Sequence, residues 1–450
     1  MSMSSLESTD PMSVLPHDVC VRILMYLDNA DLNNARLVST KWRAAAEDER
    51  IWQTPVITCS APVNIAVIKY WGKRDHDLIL PMNDSLSGTL HQDQLKSTTS
   101  VIAMRKQATD ELILNGRSGD VSNKRFHNVL SSCRALAQDL CDENGNVLVP
   151  KEAWHNYKVR IVSENNFPTA AGLASSASGF CCLAFTLSKL FGLKESLEHI
   201  SMIARQGSGS ACRSMFGGFS KWVMGEKADG SDSCALPVAD ENHWKEMHVL
   251  VMVVSDQKKE IGSTTGMKDS ADLNTAAGQK LKHRCEHIVP KRMQEMEAAI
   301  ANRDYETFAR LSMVDSDDFH EICEITEPIP LHYMNDISRD VRSLVHKYNE
   351  ARGKLSAAYT YDAGPNAVIY LLEPEVAPFL ATVLKYFGPE EKTDAFLRDA
   401  ALLETVKSTP VPEALQALEI EKRPDGGLQY ILHTTLGPGP LVLPASESLI

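Results

Sequence analysis

The sequence predicts an α+β fold behind a small three-helix unit. Three observations carry that expectation. Strand-like alternation recurs along the chain, at residues 98–104, 111–114, 157–162, 355–361, 368–372 and 429–435. Helical periodicity fills long separate runs, at 271–311, 304–321 and 337–351. Residues 13–54 carry short apolar stripes at helical spacing and stop at Thr54-Pro55, which marks a boundary.

Composition narrows the function. Charged residues are 23% and hydrophobic residues 43% of the 450, the balance of a globular chain with a sizeable core. A net charge of −13 argues against a nucleic-acid or membrane-surface role, either of which wants a basic face. It leaves room for a small anionic ligand held by a local cluster of cations. Ten cysteines lie scattered without a Cys-x-x-Cys pair, so neither a zinc site nor a disulfide framework is indicated. Reduced thiols in the cytoplasm are the simplest expectation. Residues 1–12 are Ser-rich and expected to be disordered, and they lack the basic and apolar stretches of a secretory signal. No apolar run approaches the ~20 residues of a membrane span.

In the unit 13–54, Pro16 suits a first helical turn. Val19, Ile23, Leu24 and Leu27 form the first stripe, and Asp31 is a good N-cap for a second helix carrying Leu32, Ala35, Leu37 and Val38. Ser39 leads a third, with Trp42, and Ile51-Trp52 ends the unit. Three helices in about forty residues bury little surface, so the unit needs a partner or the next domain to lean on. Leu15-Pro16, Ile23-Leu24, Leu27, Asp31-Leu32, Ala35 to Ser39, Trp42 and Ile51-Trp52 together resemble an F-box. That resemblance implies docking of an apolar helical face onto the adaptor subunit of a ubiquitin ligase. The alternative is a helical extension with no such partner.

Beyond Pro55, residues 56–63 read as a strand, and Lys69, Lys73 and Arg74 then concentrate cations around Tyr70-Trp71-Gly72. Asn115-Gly116 is a hairpin signal, with Arg117 just after it. The strand-like run 157–162 leads into Asn165-Asn166-Phe167-Pro168-Thr169-Ala170-Ala171-Gly172-Leu173-Ala174-Ser175-Ser176-Ala177, and then into a buried apolar helix at 180–193. Small residues let a backbone approach a ligand closely, and two hydroxyls with the free N–H groups of a helix start can face a polyphosphate. No Gly-Lys-Ser/Thr closes the stretch, so it is not a Walker loop. The alternative is a small-residue helix packed tightly on a sheet.

Gly207-Ser208-Gly209-Ser210-Ala211-Cys212-Arg213 is a second small-residue turn, ending in a cation able to fork a carboxylate or phosphate. A structural ion pair is the competing account of Arg213. Gly262-Ser263-Thr264-Thr265-Gly266-Met267 is a third, hydroxyl-rich turn. Pro290 marks a break in the helical run after 271. The strand 355–361 ends in Asp362-Ala363-Gly364-Pro365-Asn366-Ala367, and 368–372 is its antiparallel return. A carboxylate at a strand end beside Ala-Gly-Pro is a site-like position, although an Asp starting a turn is common.

Four motifs in order, 61–73, 165–177, 207–213 and 361–367, resemble the diphosphomevalonate decarboxylases of the GHMP kinase superfamily. Ala174 stands where the kinases carry a second glycine, as in the decarboxylase branch. Asp84 in Asn83-Asp84-Ser85 and Gly88 in Ser87-Gly88-Thr89 depart from the family pattern. The resemblance implies a ribosomal-S5-like half at 55–240 and a ferredoxin-like half at 241–450, with the site between them and a homodimer as the assembly. It implies that ATP phosphorylates the tertiary hydroxyl of mevalonate 5-diphosphate and that phosphate and carbon dioxide leave. Asp362, Arg213 and Lys69 would be catalytic. Tyr70, Trp71, Gly72, Lys73, Arg117, Ser208, Gly209, Ser210, Ala211, Cys212, Arg213 and Thr264 would hold the substrate. Pro168, Ala171, Gly172, Leu173, Ala174, Ser175, Ser176 and Ala177 would cradle ATP, with Ser175 or Ser176 near Mg2+. The rivals are a small-molecule kinase that stops at phosphorylation and a ligase substrate adaptor that has lost activity.

Overall fold

The long strand Lys96–Met104 is the spine of the first half. It pairs antiparallel with Ile57–Pro62 on one side and Lys158–Asn165 on the other. Lys158–Asn165 runs parallel to Glu111–Leu114, which turns through Asn115 and Gly116, both at positive φ, into Arg117–Ser118. On the opposite edge Leu441–Val442 pairs with Ile57–Pro62, Cys59 facing Val442 and Ser60 facing Leu441. The described residues of this computed structural model are 10–167, 175–254, 261–389, 396–420 and 426–450.

The helices Lys124–Ala135, Ser175–Leu190 and Leu197–Gly207 cover that sheet, and Cys181, Cys182, Leu187 and Leu190 pack with Val101 and Ile161. Among the described residues a second sheet of the same half runs Ala235–Ala239, Phe219–Trp222, Ser85–Thr89, Asn64–Ile68. The other half is an antiparallel sheet in the order Ala357–Tyr361, Ala367–Leu372, Met247–Val253, Tyr430–Thr435. One apolar core joins that sheet, through Val251, Tyr370 and Ile431, to Val63, Ile65, Leu86 and Phe219 of the first half. The seam between the halves is therefore packed, and the site sits at its open end.

Local signals were mostly honoured, with informative exceptions. Pro290 lies inside a helical run that continues from Ala276 to Asn302, where it cannot donate to the carbonyl four residues back, that of Glu286. The irregularity precedes it, as a π turn at Arg284–Ile288 between Ala276–His283 and Val289–Asn302. The hydroxyl-rich stretch after Gly262 is the helix Ser263–Asp269 rather than a turn. Gly266 sits under Tyr333, Leu331 and Trp71, close enough that tertiary packing overrides the weak helix propensity of its residues.

The N-terminal unit holds four short helices, His17–Leu24, Asn29–Ala35, Thr40–Ala46 and Glu49–Trp52, where three were expected. Asp28, not Asp31, caps the second, accepting from the Asp31 amide. The unit starts before residue 13: Asp10 accepts from Trp42 Nε1 at 2.9 Å and Met12 is buried. Leu24 belongs to the unit's own core, and Leu15, Leu27 and Trp42 pack against it. Ile23, Tyr26, Leu37 and Val38 remain outside. The unit leans on the first sheet through Arg105, which is buried, donates to the carbonyls of Leu27 at 2.6 Å and Met25 at 2.5 Å, and stacks over Tyr157. Tyr157 in turn donates to the Ile51 carbonyl, and the Thr54 amide to that of Ala103.

Candidate active site

A cavity of about 580 Å³ opens at the seam. Lys69, Tyr70, Lys73, Ser208 and Arg213 line it from the first half, and Thr264 and Asp362 from the second.

Lys69 follows the strand Asn64–Ile68 and is 3% exposed. Its Nζ donates to Asp362 Oδ1 at 2.6 Å. Burial lowers the lysine pKa, and the facing Asp362 carboxylate opposes that shift. Asp362 ends the strand Ala357–Tyr361, and its side chain keeps one face open to the cavity.

Arg213 lies in the 3-10 helix Gly209–Met215 and is 2% exposed. Its Nε donates to Ser87 Oγ at 2.8 Å and to Asn64 Oδ1 at 3.3 Å, and its Nη1 to Ser85 Oγ at 2.5 Å. These acceptors are all neutral, and burial lowers the arginine pKa. Among the described residues no carboxylate pairs with it, so the structural ion pair weighed above is not what forms. A buried guanidinium with only neutral partners is costly unless an anion completes it. The Tyr70 hydroxyl is likewise buried without a hydrogen-bond partner among the described residues, and its ring meets Trp222 edge-on at 4.7 Å. Gly209 is small of necessity, because a Cβ there would fall 2.8 Å from Trp222 and 3.1 Å from Tyr70.

Not every expected residue reaches the cavity. Trp71 lines it and packs edge-on against Phe319. Gly72 stands behind, at φ +82° with Met82 where a Cβ would go. Ala211 and Cys212 are fully buried, and the Cys212 thiol donates to the Gly209 carbonyl at 3.0 Å, bracing the loop from behind. Arg117 is on an exposed two-residue strand at the far edge of the first sheet, outside the lining. The missed cation is Arg125, in the first turn of Lys124–Ala135, which lines the cavity and donates to Thr264 Oγ1 at 2.8 Å. Asn64, Ser85 and Ser87, which hold Arg213, were also unassigned.

Ser175 and Ser176 open the helix Ser175–Leu190 on the cavity wall, and Ser176 Oγ is 3.2 Å from Ser208 Oγ. Ala177 is buried behind them. Pro168, Ala171, Gly172, Leu173 and Ala174 lie outside the described residues. No cluster of three His, Cys, Asp or Glu able to cage a metal occurs among the described residues. The donors present, serine hydroxyls beside a phosphate-sized space, fit a magnesium ion held chiefly through nucleotide phosphates.

Comparison with known proteins fits this geometry. Residues 61–235 match the family model for a diphosphomevalonate decarboxylase-like N-terminal domain, and 249–443 that for a mevalonate 5-diphosphate decarboxylase C-terminal domain. Residues 12–58 match the F-box-like family. The diphosphomevalonate decarboxylase of Rattus norvegicus is 49% identical over 391 residues, which are 87% of this chain and 94% of the relative. The solved structure of mevalonate diphosphate decarboxylase from Trypanosoma brucei superposes with a TM-score of 0.77 at 41% identity, covering 88% of this chain and 100% of that one. A structure described as MDDEF in complex with MVAPP, AMPPCP and magnesium has a TM-score of 0.63 at 27% identity, covering 86% and 98%.

Proposed function

Given that the chain belongs to the diphosphomevalonate decarboxylase family, we propose that its seam cavity binds mevalonate 5-diphosphate and ATP and that Lys69, Arg213 and Asp362 carry the reaction. The fold is the GHMP kinase fold, with an F-box-like unit in front. The activity is that of a carboxy-lyase: ATP-dependent decarboxylation to isopentenyl diphosphate, ADP, phosphate and carbon dioxide, in the mevalonate route to isoprenoids.

The observation that carries the residue assignment is the set of unmet bonding capacity around one cavity. Among the described residues, Arg213 has no carboxylate of its own, the Tyr70 hydroxyl has no hydrogen-bond partner, and Asp362 holds a buried ammonium on one oxygen only. The substrate supplies what each lacks. Its carboxylate completes Arg213. Its diphosphate lies toward Tyr70, Lys73 and Arg125, with Ser208, Gly209, Ser210 and Thr264 closing the pocket. Asp362 orients the tertiary hydroxyl and takes its proton as the oxygen attacks the γ-phosphorus of ATP. Lys69 keeps the carboxylate placed and balances its charge.

Ser175 and Ser176 face the triphosphate and would hold magnesium with it. Magnesium held there would supply positive charge against the negative charge that builds up in phosphoryl transfer. The C3–O bond then breaks and its electron pair leaves with phosphate. The bond from the neighbouring carbon to the carboxylate supplies the pair that forms the alkene, releasing carbon dioxide.

The test follows ADP and carbon dioxide together with purified protein, ATP, magnesium and mevalonate 5-diphosphate. Equal yields are expected. ADP without carbon dioxide would replace this reading with that of a small-molecule kinase.

The enzyme is proposed to work in the cytoplasm as a homodimer, on family resemblance. No described helix is long and apolar enough to cross a membrane. The second reading concerns the N-terminal unit. Val14, Ile23, Tyr26, Leu37 and Val38 stand exposed on it, with Leu37 at 78%. That apolar surface suits a ubiquitin-ligase adaptor. A pull-down of the full chain with the adaptor tests it, and loss of capture in Leu37→Asp is the expected signature.

A further inference from the structure

Lys69 is held by its backbone as well as by its ammonium. The Lys69 amide donates to Asp315 Oδ2 at 2.7 Å. The Lys69 carbonyl accepts from Asn83 Nδ2 at 3.0 Å and from Arg284 Nη2 at 3.3 Å. Asp315, on the helix Tyr305–Glu324, has no exposure at all. It takes both arms of Arg284, at 2.8 and 2.7 Å, and Arg292 Nη1 at 2.9 Å. Arg292 also reaches Asp318 at 2.6 Å. Two arginines therefore balance two carboxylates, with Asp315 and Arg284 fully buried and Arg292 and Asp318 at the network's partly exposed end.

This network does more than satisfy itself. All four charged groups belong to the second half, yet two of them bond the main chain of one residue in the first half. That residue is the lysine facing Asp362. Arg284 gets there because it opens the π turn Arg284–Ile288, and it is 1% exposed. A π turn redirects side chains that a regular helix would keep on one face, and such turns recur at functional sites. Asp362 also belongs to the second half, so the lysine is gripped at backbone and side chain by the same half of the fold.

We propose that Asp315 and Arg284 are positioning residues for decarboxylation: they fix the Lys69 main chain against the second half, so that Nζ meets Asp362 at bonding distance. This rests on reading Lys69 and Asp362 as the reacting pair. A misplacement of about 1 Å in such a pair costs on the order of 10²-fold in rate.

The experiment compares steady-state kinetics and melting temperature in the full chain. Asp315→Asn keeps an oxygen acceptor for the Lys69 amide but removes the charge that holds Arg284. Arg284→Lys keeps the charge but not the two-armed grip. Each is expected to lower kcat by roughly 10–100-fold while the KM for mevalonate 5-diphosphate stays within about threefold. The pair Asp315→Leu with Arg284→Met removes the buried ions together, a change that is often neutral for stability. It is expected to melt closer to wild type than either single variant without recovering kcat. Either single variant with unchanged kcat overturns the proposal, as does a double variant with restored kcat. Lys69→Met separates this from the underlying reading. If that variant keeps full activity, the assignment of the reacting pair fails. If it is inactive while Asp315→Asn is normal, only the positioning role fails.

Discussion

The Lys69 ammonium lies 2.6 Å from Asp362 Oδ1, and the two residues come from opposite halves of the fold. Lys69 is buried and Asp362 is partly open to the cavity, so one partner is placed for support and the other for contact. Asp362→Asn preserves shape but removes the base and leaves the ammonium without its counter-charge. The expected result is a fall in kcat of roughly 10²–10⁴-fold with the fold retained. Stopped assays with circular dichroism on the same samples check it, and normal turnover would remove Asp362 from the mechanism.

Arg213 gives a sharper geometric test. Three neutral acceptors fix its guanidinium, and a lysine there cannot reproduce that fork. Arg213→Lys should cost roughly 10²-fold or more in kcat/KM, the loss expected for a mispositioned carboxylate contact. Nucleotide affinity, read by fluorescence titration, should be unchanged. A collapse of nucleotide binding would move Arg213 to the ATP site.

The two candidate diphosphate arginines separate cleanly. Arg125 lines the cavity and Arg117 does not. Arg125→Ala should raise KM for mevalonate 5-diphosphate about tenfold, as for a lost charge-assisted contact of ~1.4 kcal/mol. Arg117→Ala should leave KM and kcat near wild type. The reverse pattern in the same assay would restore the hairpin arginine to the site.

His320 makes stability pH-dependent. It is buried on the helix Tyr305–Glu324, and burial first, then the nearby Lys69 charge, hold its pKa down to about 3. The unfolded chain takes up a proton near pH 6.5, and the folded chain refuses it until about pH 3. The unfolded state therefore binds more protons throughout that window, and stability rises with pH across it. The contribution is complete above pH 6.5 and is lost as pH falls toward 3, with a slope of at most about 1.4 kcal/mol per pH unit. Urea midpoints between pH 7 and 4.5 should fall less steeply in His320→Gln than in wild type. Parallel curves would show that His320 is not the sensor.

Removal of residues 1–54 should spare turnover and cost stability. No residue assigned to chemistry lies in that segment, but Arg105 loses the carbonyls of Met25 and Leu27, and Tyr157 that of Ile51. A drop of several degrees in Tm with kcat within about twofold is expected, since a few lost buried bonds of ~1 kcal/mol each act on the folded state alone. A severe kinetic defect in the folded truncation would mean that the unit shapes the cavity.

Much of this was legible before the fold. Lys69 and Asp362 stand at strand ends, and Arg213 closes a small-residue turn, positions that local pattern marks directly. Arg125 was missed because both it and Arg117 follow polar turns, and only the packing of Lys124–Ala135 brings one of them to Thr264. Asp28 and Asp31 are equally good caps by chemistry, so the helix start depended on which side chain turned back. The π turn has no composition of its own, and Pro290 marked only that the helical run breaks beside it. The Asp315 network was invisible for a related reason: its members are ordinary charged residues on helices, and only the burial of Asp315 and Arg284 distinguishes them.

The pairing of Ile57–Pro62 with Leu441–Val442 sets a schedule for synthesis. A strand made early waits at the sheet edge for one made nearly 400 residues later. At translation rates of 5–20 residues per second the wait is roughly 20–80 s. Throughout it, the nascent chain carries a row of unpaired backbone groups on the strand that neighbours its longest one. Such an edge pairs readily with other chains. Expression at slow elongation or high ribosome density therefore exposes this protein to edge-to-edge association, and a chaperone that covers residues 57–62 during synthesis should raise its yield without touching the finished enzyme.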